Sequence, residues 1–252
     1  MDYLFECIEG ALPKEGSMHY YAYRKLDEKL TQSLYALDQL KYQWMKASEF
    51  YFEPYPALQK LKWWQEELER LKKSAPSIPI THHLSKTLDC NLAYQLLQQD
   101  FELVMATLAE GRKENFDSYL TNNYLGIEHL KAKLLDFDNI EAISTTNHIN
   151  ELSRHLLLIG KHFSRNIQMN AEVRPESFGD YKQSFKPYIE MIQNLQQSQS
   201  RFVGLPKALA NFNYILAFAL KQYLKKVDNP FKESVVISPL QLLWSTVRAS
   251  KL

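Results

Sequence analysis

The chain is poor in glycine and cysteine, balanced in charge, and without a long apolar run. Seven glycines and ten prolines among 252 residues leave no Gly/Ser-rich linker, so a single domain over residues 1–252 is expected. The two cysteines, Cys7 and Cys90, lack metal-ligand spacing and identify no oxidising compartment. No stretch reaches the roughly 18 to 20 apolar residues of a membrane span, and "MDYLFECIEG" has no basic region followed by a signal-like apolar run. Thirty Lys+Arg stand against 29 Asp+Glu, which removes any global electrostatic case for nucleic acid or an anionic membrane. The expectation is a cytoplasmic protein with no nucleic-acid partner and at most peripheral membrane contact.

Chemical signatures are also missing. No P-loop, dinucleotide glycine pattern, zinc-protease motif or nucleophile elbow occurs. Magnesium-diphosphate chemistry draws on carboxylates from adjacent helical turns, yet no Asp-x-x-x-Asp occurs anywhere. The pairs Glu49/Glu53, Glu110/Glu114 and Glu172/Glu176 have the interval, but Pro54 and Pro175 make the surroundings of two of them poor continuous helices. No catalytic residue and no metal ligand is assigned on these grounds, and no cofactor is expected.

What is present is helical periodicity. In "EKLTQSLYALDQLKYQWMKASEF", Leu30, Leu34, Tyr35, Leu37, Leu40 and Trp44 share a broad apolar surface. After "YFEPYPA", Leu58, Leu61, Trp64, Leu68 and Leu71 recur at three or four residues, and Glu66, Glu67, Glu69 and Arg70 supply the wetter side. Further helices are expected over Leu84 to Leu108, Tyr119 to Leu135, Ile143 to Met169 and after Pro206, with Leu205, Leu209, Phe212, Leu216, Leu220 and Leu224 in phase. "SPLQLLWSTV" reads as a final helix capped by Ser238, with Pro239 in its first turn and Leu240, Leu243 and Trp244 as docking contacts. "QNLQQSQS" reads as a polar connector or exposed helix edge. No alternating strand set appears, so the fold class is all-α, a helical bundle.

One helix concentrates polar groups. In "NHINELSRHLLLIGKHFSRN", His148, His155 and His162 recur every seven residues, about 10.5 Å of helix rise, too far for all three to share one metal through this helix alone. Glu151 and His155 are the closest pair, and a zinc site there needs ligands from elsewhere. Arg154, Lys161 and Arg165 form a basic strip suited to phosphate or an acidic partner. His82 and His83 follow a proline-rich turn, where structural roles are expected.

Three stretches, "YYAYRKLDEKLTQSLYALDQLKYQW", "EPYPALQKLKWWQEELERLKKSAPSIPITHHL" and "YLKKVDNPFKESVVISPLQLLWSTV", together resemble the squalene/phytoene synthase family, from about Tyr20 to Val247. The resemblance implies an isoprenoid-synthase-like bundle, the fold in which that family joins prenyl diphosphates by means of two Asp-rich motifs and magnesium. It places the first motif near Met45, Lys46 and Glu49 and the second near Arg165, Asn166 and Asn170, so most of the expected carboxylates are missing. "EPYPALQKLKWWQEEL" is similar to the divergent branch associated with respiratory complex I assembly and its bacterial relatives.

The resemblance therefore implies a catalytically degenerate protein, an assembly factor with a protein partner or a binder of prenyl lipid or prenyl diphosphate. Its ligand-binding candidates are Tyr35, Trp63, Trp64, Phe101, Glu151, Arg154, His155, Lys161, Arg165, Phe212 and Tyr223. A divergent prenyl transferase would need Mg2+ and compensating carboxylates from Glu49, Glu151 or Asp180. A purely structural interaction module is the third expectation.

Overall fold

Capping side chains set where the helices start. The computed structural model describes residues 10–51, 53–110, 120–164, 181–199, 202–233 and 237–249. Every regular element among them is helical, so the chain is all-α as expected. Ser17 accepts from the Tyr20 N–H at 3.1 Å and opens α1 (Met18–Tyr23). Asp27 accepts from the Leu30 N–H at 2.9 Å and opens α2 (Glu28–Met45). A π turn, Lys46–Phe50, prolongs α2. Pro54 and Pro79 occupy the first turns of α3 (Pro54–Lys72) and α4 (Pro79–Thr87), where a missing N–H costs nothing. There follow α5 (Cys90–Glu110), α6 (Leu125–Leu134), α7 (Ile140–Ser164), α8 (Tyr181–Gln199), α9 (Lys207–Lys226) and α10 (Pro239–Ala249).

Two boundaries differ from the periodicity. The span Leu84 to Leu108 is two helices, because Leu88 is extended at φ −125° and ψ 154° and Asp89 caps a new helix through the Leu92 N–H at 2.8 Å. Tyr124 lies in the left-handed region at φ 58°, so the expected Tyr119–Leu135 helix is broken there: residues 120–122 are helical and α6 starts anew at Leu125. The expected helix to Met169 is described as far as Ser164. "QNLQQSQS" is a continuation of α8 up to Gln199, whose buried amide donates to Thr146 Oγ1 at 2.9 Å.

The helices pack α3 on α5, α2 on α4 and α6, α7 on α8 and α9, and α1 and α10 on α9. One hydrophobic cluster joins side chains from Met18 to Leu242. Trp44 sits within it, edge-on to Phe101 at 5.3 Å and to Trp64 at 6.4 Å, so α2, α3 and α5 interlock through aromatic rings. Trp64 is buried, and Trp63 is partly buried under Lys60, whose Nζ lies 4.6 Å from its ring centroid. Phe101 is buried in the same cluster, Tyr35 is buried edge-on to His19 at 5.5 Å, and the Tyr223 hydroxyl reaches the Pro230 carbonyl at 3.4 Å. Gly126 lets α6 approach α5, since a Cβ there would overlap the Leu96 carbonyl.

Two assignments to surface and core are reversed. Glu67 is fully buried, not on the wet side of α3. It accepts from the Ser77 N–H at 2.7 Å, the Ile78 N–H at 3.2 Å, the hydroxyls of Ser77 and Thr81 at 2.5 Å each and Arg70 Nη1 at 2.9 Å. One carboxylate thereby pins the α3–α4 connection. On α10, Ser238 caps as expected, accepting from the Gln241 N–H at 3.4 Å. Leu240 and Trp244, however, are 70% and 61% exposed, and the helix docks through Leu242, Ser245 and Thr246 instead. The hydroxyls of Ser245 and Thr246 can face inward because they donate to their own helix's carbonyls, at 2.7 and 2.9 Å. No described helix is long and apolar enough to cross a membrane.

Burial pushes the Glu67 carboxyl up, but its hydrogen bonds from Ser77, Thr81 and Arg70 outweigh that and hold it at about 2. Its contribution is therefore complete above the ordinary value of 4.5 and lost as pH falls toward 2. Glu67→Ala should cost about 1–3 kcal/mol for each backbone donor left unpaired near pH 7, and the gap to wild type should narrow between pH 4.5 and 2 in chemical denaturation as the charge-dependent part is lost. A pH-independent gap would contradict this account. Gly126→Ala should cost about 1–3 kcal/mol or more by overpacking, read as a fall in Tm.

Candidate functional site

The face of α2 that turns toward α6 and α7 carries charge where its pattern reads apolar. Asp38, Lys41 and Met45 follow at three and four residues, and the π turn brings Glu49 onto the same side. The π geometry shows in the Tyr51 N–H bonding back to the Lys46 carbonyl at 3.1 Å. From α7 come Asn150, Glu151, Arg154, His155 and His162, and from α6 come Glu128 and Lys131.

These groups form one buried ion-pair lattice. Tyr23 Oη donates to Asp38 Oδ2 at 2.5 Å, and Lys131 bridges Asp38 Oδ1 at 2.6 Å and Glu128 Oε1 at 2.8 Å. Lys41 lies 3.9 Å from Glu128 and 2.8 Å from Glu151 Oε1. Glu151 Oε2 accepts from Arg154 Nη2 at 2.7 Å and from Asn123 Nδ2 at 2.9 Å. Arg154 then turns its fork to Glu49, Nη1 to Oε2 at 2.6 Å and Nη2 to Oε1 at 3.1 Å, and His162 Nε2 reaches the same Oε2 at 2.8 Å. His155 Nδ1 lies 2.7 Å from the Glu151 carbonyl.

The ionisation states follow from this pairing. Burial opposes the charge on Glu151, but the Arg154 and Lys41 cations outweigh it and bring the carboxyl to about 2. Glu49 is likewise held below the usual carboxylate range against burial by Arg154 and His162. Burial would lower Lys131, yet Asp38 and Glu128 keep it above the usual lysine value. His155 falls to about 3 through burial and the neighbouring Arg154, and is neutral at pH 7. Three cations, Lys41, Lys131 and Arg154, thus stand against four carboxylates, Asp38, Glu49, Glu128 and Glu151.

Beside the lattice lies a cleft of about 60 Å³, walled by Met18, Met45, Phe212 and Leu216 and floored by Lys41, Glu128, Lys131, Asn150, Glu151 and Arg154. It has room for a few water molecules, well below the roughly 300 Å³ at which drug-sized pockets begin. Of the expected ligand-binding residues, Phe212, Glu151 and Arg154 border it. Tyr35, Trp63, Trp64, Phe101 and Tyr223 do not line it: Trp64, Phe101 and Tyr223 belong to the hydrophobic cluster, Trp63 packs partly buried against it, and Tyr35 is buried beside His19. Arg154 is 3% exposed and belongs to no surface strip, while Lys161 stands 4.8 Å over the Phe50 ring. Arg165 and Asp180 lie outside the described residues, as do the pairs Glu110/Glu114 and Glu172/Glu176 in whole or in part. Glu49 is buried and Glu53 exposed, so that pair does not converge. His83 Nε2 lies 3.0 Å from Ser33 Oγ, a structural contact, and His82 is exposed.

Glu49 and Glu151 do converge, but on Arg154 and not on a shared open position. Asp38, Lys41, Glu128 and Lys131 were not anticipated, although Asp38 and Lys41 interrupt the apolar phase of Leu34, Leu37 and Trp44. A charged residue in phase with a buried stripe is the signal that could have found them.

Compared with protein-family models, curated proteins and solved structures, the chain gives no significant match.

Arg154→Ala would leave Glu49 and Glu151 buried without their shared cation. The expected cost is about 3–5 kcal/mol, seen as a lower denaturation midpoint. Arg154→Lys should recover only part of it, because an ammonium cannot reproduce a fork spanning two carboxylates. Full recovery by lysine would mean the bidentate geometry contributes nothing.

Proposed function

We propose that this chain is a non-catalytic relative of the squalene/phytoene synthases with an isoprenoid-synthase-like bundle, acting by binding a protein partner in the manner of an assembly factor. The observation that carries this reading is the saturated lattice. Metal-assisted prenyl transfer needs carboxylate oxygens turned toward magnesium and free cations turned toward diphosphate. Here Glu49 and Glu151 are engaged by Arg154, Asp38 and Glu128 by Lys131, and Lys41 by Glu151. The protein's own lysines and arginine supply the positive charge that magnesium would otherwise bring. The cleft of about 60 Å³ also favours a protein partner over an enclosed prenyl chain, whose burial needs a pocket several times larger.

The test is calorimetry with farnesyl diphosphate, with and without magnesium, coupled to measurement of released diphosphate and hydrocarbon product. No magnesium-dependent binding and no release is the expected result. Turnover that requires magnesium would overturn the proposal in favour of a divergent prenyl transferase. Tight binding without turnover would overturn the protein-partner reading in favour of a prenyl-ligand carrier.

A further inference from the structure

The seven-residue interval between His155 and His162 does not keep their rings apart. The imidazoles lean together along α7 until their centroids are 5.2 Å apart, and Glu49 from the π turn meets His162 and Arg154 through the same Oε2. One ligand atom from each of Glu49, His155 and His162 then lies within 4.8 Å of the other two, and all three side chains are buried. Two ligands held at 2.0–2.2 Å from a tetrahedral ion stand roughly 3.3–3.6 Å apart, so the set reaches bonding distance when the 2.8 Å Glu49–His162 contact opens and any wider pair closes toward that spacing.

From this geometry we infer that Glu49, His155 and His162 form a binding site for a borderline divalent transition ion of the zinc class, held by two imidazoles and one carboxylate. The donor set selects against magnesium and calcium, which take oxygen ligands almost exclusively. Three protein ligands leave a further coordination position for water or for a ligand atom.

The surroundings of the site support it. The Glu151 carbonyl can only accept, so His155 Nδ1 carries the proton and Nε2 presents its lone pair, the arrangement in which a second hydrogen bond orients a metal-binding imidazole. His162 binds through Nε2 in its Nδ1–H tautomer, exchanging the 2.8 Å contact to Glu49 Oε2 for a shared ion. Arg154 remains on both Glu49 oxygens as an outer partner that fixes the carboxylate. Its Nη2 also lies 3.4 Å from His155 Nε2, so an ion bound there replaces that Arg154 contact. Glu49 joins helix α2 to helix α7 through this cluster, so a bound ion would also tie the two helices together.

The experiment uses the full chain without a polyhistidine tag, loaded with Zn2+ and desalted, with bound metal counted by mass spectrometry. Co2+ is the spectroscopic probe. About one equivalent of Zn2+ should be retained, Zn2+ but not Mg2+ should raise Tm, and Co2+ should give a visible absorption band of low symmetry. His155→Ala and His162→Ala should each weaken Zn2+ binding by more than the roughly 10–100-fold typical of an outer-partner change, while His82→Ala, on the exposed face of α4, should leave it unchanged. Circular dichroism identifies variants that still fold, and His162→Gln replaces His162→Ala should that variant unfold. The inference is overturned by a folded wild type that retains no Zn2+, by equal retention in the His155 and His162 variants, or by Mg2+ displacing Zn2+ at equal concentration. None of these outcomes depends on prenyl turnover or on a protein partner.

Discussion

Arg154 forks between Glu49 on the π turn and Glu151 one turn before it on α7, and the interior is organised around that one guanidinium. Taking a guanidinium and two carboxylates out of water costs several kcal/mol per ion, recovered only when geometry is good and the remaining lone pairs are occupied. Asn123 hydrogen-bonds Glu151 Oε2, Lys41 neutralises Glu151 as an ion pair at 2.8 Å, and His162 reaches Glu49 Oε2. The lattice then continues through Glu128 and Lys131 to Asp38 and Tyr23, so α1, α2, α6 and α7 are held in one register. An apolar core of the same volume could be as stable, but it would not specify which helix turn faces which. A buried ion lattice does, because any slip leaves charges unpaired.

The same lattice governs the chemistry available to the cleft. Among the described residues, each carboxylate bordering it has a cation within contact distance, and each of those cations is likewise spoken for. A substrate carrying diphosphate would have to break these pairs before making its own, which is an energetic barrier to binding and not only to turnover. The Glu49 end differs in kind: two imidazoles meet a carboxylate there, and the donor set suits a transition ion better than a diphosphate-bound magnesium.

Around this polar centre the helices are joined by ordinary means. Trp44, Trp64 and Phe101 lock α2, α3 and α5 by edge-on ring contacts, and Gly126 allows the closest approach of α6 to α5, reinforced by Asp100 accepting from the Gly126 and Ile127 N–H groups at 2.9 and 2.7 Å. Glu67 performs for the α3–α4 turn what Arg154 performs for the centre: one buried charge whose hydrogen-bond partners come from another segment, donors for Glu67 and the Glu49 carboxylate for Arg154. The two tryptophans of "KLKWWQEELERL" belong to this packing. Trp64 completes the core and Trp63 lies partly buried beneath Lys60.

Helical character, the phase of α2, α3 and α9, and the Ser238–Pro239 start of α10 were legible in the residues, because apolar spacing and capping chemistry act within a few residues of chain. The buried set Leu34, Leu37, Leu40, Trp44, Leu61, Trp64, Leu68 and Leu71 follows directly from that spacing. The breaks at Leu88 and Tyr124 were less legible, since neither contains proline or glycine and each depends on a cap or a contact with another helix. The site was the least legible. Helix rise alone separates His155 from His162, whereas side-chain reach brings their rings together, and the partner Glu49 lies more than a hundred residues earlier. Periodicity assigns a residue to a face but not to a neighbour, so Glu67 reads as solvated and Arg154 as a surface cation. Sequence by itself determined which segments are helical and which of their stripes are apolar, because both are set by local backbone and hydration energetics. Only the tertiary structure decided which charges are buried and with whom, because a buried ion is stable only beside partners that the fold, and not the local chain, delivers.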